Sequence, residues 1–274
     1  MTLIRVEGVS DINLVRTGPQ GGPSIVFLHP VGLDLTWWSA QVEDFGADHD
    51  VIAFDLPGHG LSGKLDGPPS FELMAAAVEG VLAHTDAAPA HLVGVSVGGM
   101  IAQTVALRNP DLVRSLSLVA TLCTFPGEIR EVLRERARVS RAEGMAKIAE
   151  LSNERWFPAA FRERRPDMLD RATKRLLLQD PGFHAEMWEM ISGLDLEGKL
   201  PTITCPTLVV AGEEDVNAPV AAAQKIASLI PDASLKVMSG IGHFPPFEAP
   251  GPFNALLRRF LAATDAAAAQ SSSL

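Results

Sequence analysis

A serine between glycines, a carboxylate behind a glycine and a histidine behind another glycine occur in this chain in an order that acyl-transfer chemistry can use. Ser96 lies in Gly94-Val95-Ser96-Val97-Gly98, whose glycines permit a turn tight enough to project a side-chain oxygen. A serine hydroxyl is a weak nucleophile. It needs a base to take its proton, and the base needs a carboxylate to fix its tautomer and stabilise the imidazolium. The candidate base is His243, in Ser239-Gly240-Ile241-Gly242-His243-Phe244-Pro245-Pro246, where a glycine before and prolines after suit a positioned loop residue. The candidate acid is Asp215, in Ala211-Gly212-Glu213-Glu214-Asp215-Val216-Asn217-Ala218-Pro219, with Glu213 and Glu214 as rivals that spacing does not eliminate. Of the other histidines, His84, His91, His49 and His184 are read as structural or exposed, and His29 and His59 belong to loop motifs.

Positioning these groups takes a rigid frame. Short β-branched runs at Ser24–Leu28, Val51–Phe54, His91–Val95, Leu116–Val119, Thr207–Ala211 and Leu235–Met238 read as buried strands. Helical patterns fall between them at Trp38–Phe45, Phe71–His84, Val97–Arg108, Val220–Leu229 and Pro252–Ala263, the last two opening near prolines. Alternation of this kind predicts an α/β fold, a mostly parallel sheet flanked by helices. Ser96 then sits where a strand passes into a helix, and Asp215 and His243 sit in loops after later strands.

From about Gly127 to Leu196 the strand signal vanishes and the chain turns charged and helical, with Trp156 and Trp188 embedded. The expected organisation is a core over 1–126, an inserted helical cap over 127–196, the rest of the core over 197–264 and a low-complexity alanine and serine tail over 265–274. The tail is expected to fray and is assigned no function.

Composition narrows the function. With 47% hydrophobic and 20% charged residues the chain can bury a large core. A net charge of -10, from 23 Lys+Arg against 33 Asp+Glu, argues against nucleic acid as a partner. The basic run from Arg130 to Arg141 alternates with Glu128, Glu131 and Glu135 and reads as a solvated helix face. Cys123 and Cys205 have no metal-site spacing and read as free buried thiols. The N-terminus lacks a signal pattern and no segment reaches the ~20 apolar residues of a membrane span, so no membrane partner and a cytoplasmic location are expected. No metal or organic cofactor is called for, because nucleophile, base and anion-stabilising donors all come from the chain. Oligomeric state is left open, since no heptad or exposed apolar repeat marks an interface.

The elbow at Gly94–Gly98, the Gly-x-x-Asp loop at Gly212–Asp215 and the Gly242-His243 pair together resemble the α/β-hydrolase superfamily over nearly the whole chain. That resemblance favours Asp215 over its neighbours. It also implies an oxyanion hole built from the N–H of Val97 and one from the loop His29-Pro30-Val31-Gly32. Relatives usually carry His-Gly there; Pro30 has no N–H to give, and the donor maps to Val31. Asp55-Leu56-Pro57-Gly58-His59-Gly60-Leu61-Ser62 matches a further hallmark, read as architectural. Within the superfamily, Glu154-Arg155-Trp156-Phe157, Leu177-Leu178-Gln179-Asp180-Pro181 and Gly98-Gly99-Met100 are similar to the 3-oxoadipate enol-lactonase and carboxylesterase branch.

A small ester or lactone substrate follows from that likeness. Trp156, Trp37 and Met100 are then substrate-facing candidates, with Trp156 alternatively packing the cap helices. Arg155, Arg162, Arg164 and Arg165 are candidates for holding a carboxylate, or else a solvated surface. Ser96 in place of aspartate and the absence of tyrosine argue against epoxide hydrolases and haloalkane dehalogenases. Carbon–carbon bond hydrolases, cofactor-free perhydrolases, acyltransferases and a non-turnover ligand receptor remain open as alternatives.

Overall fold

A computed structural model describes residues 1–271. Its sheet has eight strands: β1 (Thr2–Val6), β2 (Ser10–Thr17), β3 (Ser24–Leu28), β4 (Asp50–Phe54), β5 (Ala90–Val95), β6 (Val113–Val119), β7 (Thr207–Gly212) and β8 (Ala233–Met238). They are ordered β1-β2-β4-β3-β5-β6-β7-β8, with β1/β2 and β2/β4 antiparallel and every other pair parallel. The helices are α1 (Ser39–Phe45), α2 (Phe71–Thr85), α3 (Val97–Arg108), α4 (Gly127–Trp156), α5 (Ala159–Arg164), α6 (Pro166–Leu177), α7 (Pro181–Ser192), α8 (Val220–Leu229), α9 (Pro245–Glu248) and α10 (Pro250–Ser271). The mostly parallel sheet, its flanking helices and the helical insertion α4–α7 make this an α/β-hydrolase fold.

Strand pleating explains the two cores. Along β3, Val26 and Leu28 join one cluster with Met74, Val78 and Leu82 of α2 and Ile101 and Val105 of α3. Ile25 and Phe27 join another with Phe45 of α1 and Phe253, Leu257 and Leu261 of α10. Both faces of the strand are apolar because both are covered. The parallel strands end together at one edge of the sheet, and Leu28, Phe54, Val95, Val119 and Gly212 each lead into a loop there, the edge at which open α/β sheets bind ligands.

Three expectations need correction. The antiparallel strands β1 and β2 were not foreseen: they flank a turn at Gly8, φ +70°, and neither has the continuous apolar run of a buried strand, β1 leaving Thr2, Leu3 and Arg5 exposed and β2 interspersing Ser10, Asp11, Asn13, Arg16 and Thr17 among its apolar residues. Strand β8 is a half-exposed edge rather than a buried strand, paired only with β7 and leaving Val237 44% exposed. The tail continues α10 to Ser271 instead of fraying from Ala266. Its anchor is Asp265, which accepts from Arg114 Nε at 2.5 Å and lies 3.3 Å from His91 Nε2. The rest of the tail, 272–274, lies outside the described residues. Among the described residues no helix is long and apolar enough to cross a membrane.

The insertion is closed at its neck. Thr124 and Asp195 form a β-bridge, Leu196 N donates to Cys123 O, and the Arg130 guanidinium donates to the carbonyls of Phe125, Ser192 and Leu194. Helix α4 breaks at Gly144, φ +74°. The run Arg130–Arg141 is only partly the solvated face expected of it. Arg134, Arg138 and Arg141 pair with glutamates at the surface, but Arg130 clasps the neck and Arg136 turns inward over the Trp188 ring, 4.5 Å from its centre.

Candidate active site

Ser96 occupies the joint between β5 and α3 with φ +55° and ψ -118°, a conformation that costs a non-glycine residue about 1–3 kcal/mol. Surrounding bonds impose it. Ser96 N donates to Val119 O on the neighbouring strand, while its carbonyl accepts from Gly99 N, Met100 N and Thr121 Oγ1. The flanking glycines are required by close approach: a Cβ on Gly94 would lie 2.4 Å from the Gly98 carbonyl carbon, and one on Gly98 would lie 2.3 Å from Leu28 O.

Asp215 and His243 come together. Asp215 Oδ2 lies 2.7 Å from His243 Nδ1, with both side chains buried, and Asp215 Oδ1 accepts from the N–H groups of Asn217 and Ala218. The rivals point elsewhere: Glu213 accepts from Ser239 Oγ and Gly240 N on an exposed loop, and Glu214 is exposed. The histidine loop crosses directly over the end of β7, where a Cβ on Gly212 would lie 2.0 Å from Gly242 O.

Two supports of His243 were not read from the sequence. Its N–H donates to the carbonyl of Trp156, so the end of α4 holds the loop from the cap side. The buried Glu248 carboxylate accepts from the N–H groups of Gly242 and Phe244, on either side of His243. Burial pushes Glu248 up to about 7 even though both N–H bonds favour its anion. A glutamate five residues after a Gly-His pair, at the first turn of a short helix, is the signal that could have found it.

The remaining candidates fall around this pair. The Trp156 ring packs edge-on against Phe244, 5.2 Å between centres, while Trp37 stacks on Phe247 at 3.7 Å and meets Phe244 edge-on. These rings form an aromatic bed behind the histidine loop. Met100 is buried one turn into α3, and Val31 and Val97 are buried beside the elbow strand. Of the cap arginines, Arg155 donates to Asn217 Oδ1, Arg165 pairs with Asp167, Arg164 is exposed and Arg162 is half-buried. Among the described residues no group of His, Cys, Asp and Glu is arranged to hold a metal ion.

The loops are tied together by neutral histidines. His29 Nε2 accepts from Leu56 N at 2.9 Å, so its proton resides on Nδ1, which donates to Pro30 O. This joins the loop after β3 to the Asp55–Ser62 turn, where Asp55 accepts from Leu35 N, Leu61 N and Asn13 Nδ2. Burial lowers His29 and His91 to about 4, and burial followed by neighbouring positive groups lowers His59 and His184 to about 3. Unfolded, each ring titrates near 6.5, so below that value the unfolded chain binds more protons. The stability these rings contribute is present above pH 6.5 and is lost as pH falls toward their folded values, on the order of 3 kcal/mol for each ring. Glu248 acts in the opposite sense between about 7 and its unfolded value. We therefore expect the urea midpoint to fall from pH 7 to pH 5, with net uptake of about three protons on unfolding. A midpoint independent of pH over that range would contradict the buried, neutral state of these rings.

A model of the alpha/beta hydrolase family matches residues 25–256. The chain is 28% identical over 253 residues to 3-oxoadipate enol-lactonase 2 of Acinetobacter baylyi, covering 91% of this chain and 94% of that protein. The enol-lactonase from Burkholderia xenovorans superposes with a TM-score of 0.90 at 28% identity, over 95% of this chain and 100% of that one. A thermophilic esterase from Thermogutta terrifontis, solved with malate bound, also gives 0.90, at 27% identity over 96% of this chain and 99% of that one. With the family model spanning most of its length, and with the fold and the strained serine elbow described above, this chain belongs to the alpha/beta hydrolase family.

Proposed function

We propose that the protein is a serine hydrolase that cleaves a small carboxylic ester or lactone through an acyl-enzyme. The observation that carries this reading is the buried Asp215–His243 pair at 2.7 Å, set on loops at the same sheet edge as a serine held at φ +55°. His243 Nε2 takes the proton as Ser96 Oγ attacks the carbonyl carbon. The Asp215 carboxylate keeps the other ring proton on Nδ1 and stabilises the imidazolium. The N–H groups of Val31 and Val97 receive the developing oxyanion. His243 then returns its proton to the leaving oxygen, which in a lactone stays attached to the acyl chain. Water, activated by the same histidine, releases the acid and restores Ser96.

The likeness to enol-lactonases and esterases supports the substrate class, and malate in the Thermogutta terrifontis esterase is a precedent for a carboxylate ligand on this fold. The test is a panel of short p-nitrophenyl esters and simple lactones, run beside labelling with a fluorophosphonate. Turnover together with a single adduct on Ser96, located by peptide mass spectrometry, is expected. Turnover that persists with Ser96 unlabelled, or no turnover of any member, would overturn the reading. A muconolactone-type enol-lactone compared with an acyclic ester of similar size then separates the lactone preference from general esterase activity.

A further inference from the structure

Three consecutive amides fix the main chain at His243. Its own N–H donates to Trp156 O at 2.9 Å, Gly242 N donates to Glu248 Oε2 at 2.9 Å and Phe244 N donates to Glu248 Oε1 at 2.9 Å. The bond from Phe244 alone would be an ordinary cap, since Phe244 opens the short helix α9 that Glu248 closes. The bond from Gly242 is not, because Gly242 precedes that helix and lies on the far side of the histidine. One carboxylate thus brackets the base, with an oxygen for the amide on each side of it. The loop has no slack at this point: a Cβ on Gly242 would lie 2.6 Å from Pro158 Cδ, 2.7 Å from Trp156 O and 3.2 Å from Glu248 Oε1. Gly242 is pinched between the cap and the carboxylate.

Of these three bonds, only the two to Glu248 answer to a proton. An ionised carboxylate accepts at both oxygens, whereas a protonated one keeps a single carbonyl oxygen for two N–H groups and becomes a donor at the other. The charged groups around Glu248 are His243, between the two amides, and Asp215, on the loop after β7. The end of α4 brings the Trp156 carbonyl and the Pro158 ring to Gly242, and Arg171 of α6 stands over the neighbouring Phe247 ring, 5.6 Å from its centre. Burial pushes the Glu248 carboxyl up to about 7 against the pull of both N–H bonds. The bracket is therefore complete above that value and loses an acceptor as pH falls through it.

Resting on the serine-hydrolase reading above, we propose that Glu248 is a positioning residue for the base: its ionised carboxylate holds the main chain on both sides of His243, and its protonation slackens that loop and slows turnover. Glu248 touches neither substrate nor the reacting atoms. It acts through His243, whose ring must stay 2.7 Å from Asp215 and within reach of Ser96 at once. Two requirements on one ring leave little room for drift, and a misplacement of about 1 Å can cost about a hundredfold in rate. Substrate binding does not depend on the imidazole in the same way, so the loss falls on kcat rather than on KM.

Glu248→Gln tests this, because the amide keeps one acceptor and turns an NH₂ group toward the second N–H, a permanent likeness of the protonated acid. The measurement is p-nitrophenyl butyrate hydrolysis by wild type and variant from pH 5.5 to 8.5, over the range in which circular dichroism shows both folded. At pH 8 the variant is expected to lose about 10- to 100-fold in kcat, with KM within about threefold. The gap should narrow as pH falls below 7, where wild type itself carries the proton on Glu248. Wild-type kcat/KM should accordingly fall more steeply than one proton allows between pH 7.5 and 6, the base and Glu248 each taking one. That slope is read on wild type alone and decides the matter if Glu248→Gln does not fold. A variant within threefold of wild type at pH 8, a ratio of the two rates that is constant across the range, or a wild-type slope no steeper than one would overturn the role of Glu248. Turnover with Ser96 unlabelled by fluorophosphonate would instead strike the serine-hydrolase reading itself, and the bracket with it.

Discussion

Replacing Ser96 by alanine is expected to lower kcat by about 10⁵- to 10⁶-fold on any ester the protein turns over, leaving only what binding and the oxyanion donors supply. The fold should survive, because the bonds that hold the elbow are made by the Ser96 backbone: its N–H to Val119 O and its carbonyl to Gly99 N, Met100 N and Thr121 Oγ1. The hydroxyl is therefore free for chemistry while the main chain carries the architecture. Ser96→Gly separates the two roles further. At φ +55° and ψ -118° a Cβ is a liability, so glycine should abolish turnover and raise the unfolding free energy by about 1 kcal/mol, net of glycine's larger entropy in the unfolded chain. Activity assays and urea melts on the two variants check this. A Ser96→Ala protein within a hundredfold of wild type would remove the serine mechanism, and a destabilised Ser96→Gly would mean that the elbow is not strained.

The elbow was legible because its requirement is local. Five residues on one strand-to-helix joint carry the whole constraint, and Gly94 and Gly98 are fixed by neighbours that any such joint brings close. The candidate acid was less legible. Glu213, Glu214 and Asp215 are equally spaced candidates until the loop is folded, when Glu213 turns to Ser239 and only Asp215 faces His243. Strands β1 and β2 escaped because a search tuned to continuous apolar runs passes over strands whose apolar residues are interrupted by polar ones, as Arg5 interrupts β1 and Asp11 and Asn13 interrupt β2. The cap was least legible of all. Arg136 sits in a run of alternating charge, and only a helical reading shows it on one stripe with Leu133, Ala137 and Ser140, the stripe that turns inward. His184 carries no sequence signal beyond its spacing of four from Trp188, a pair that meets on one helix face. Groups whose partners lie far along the chain become readable only when the fold brings those partners together.

Asp215→Asn is expected to lower kcat by about 10⁴-fold. The reason lies in which atoms surround the carboxylate. Oδ1 accepts from two backbone N–H groups, Asn217 at 2.8 Å and Ala218 at 3.1 Å, so an asparagine there must keep its oxygen toward them. Its NH₂ group then occupies the place of Oδ2 and donates to His243 Nδ1, which in wild type lies 2.7 Å from a carboxylate oxygen. An imidazole that accepts at Nδ1 carries its proton on Nε2, and in that tautomer it cannot take the proton of Ser96. The substitution also removes the negative charge that stabilises the imidazolium formed during attack. Glu214→Gln, one residue away but exposed, should leave kcat within about twofold, so the pair of variants distinguishes a specific role from loop charge in general. Circular dichroism and melting curves should be close to wild type in both. An Asp215→Asn protein within tenfold of wild-type kcat would show that His243 does not depend on Asp215 for its tautomer, and that the histidine acts otherwise than as the base for Ser96.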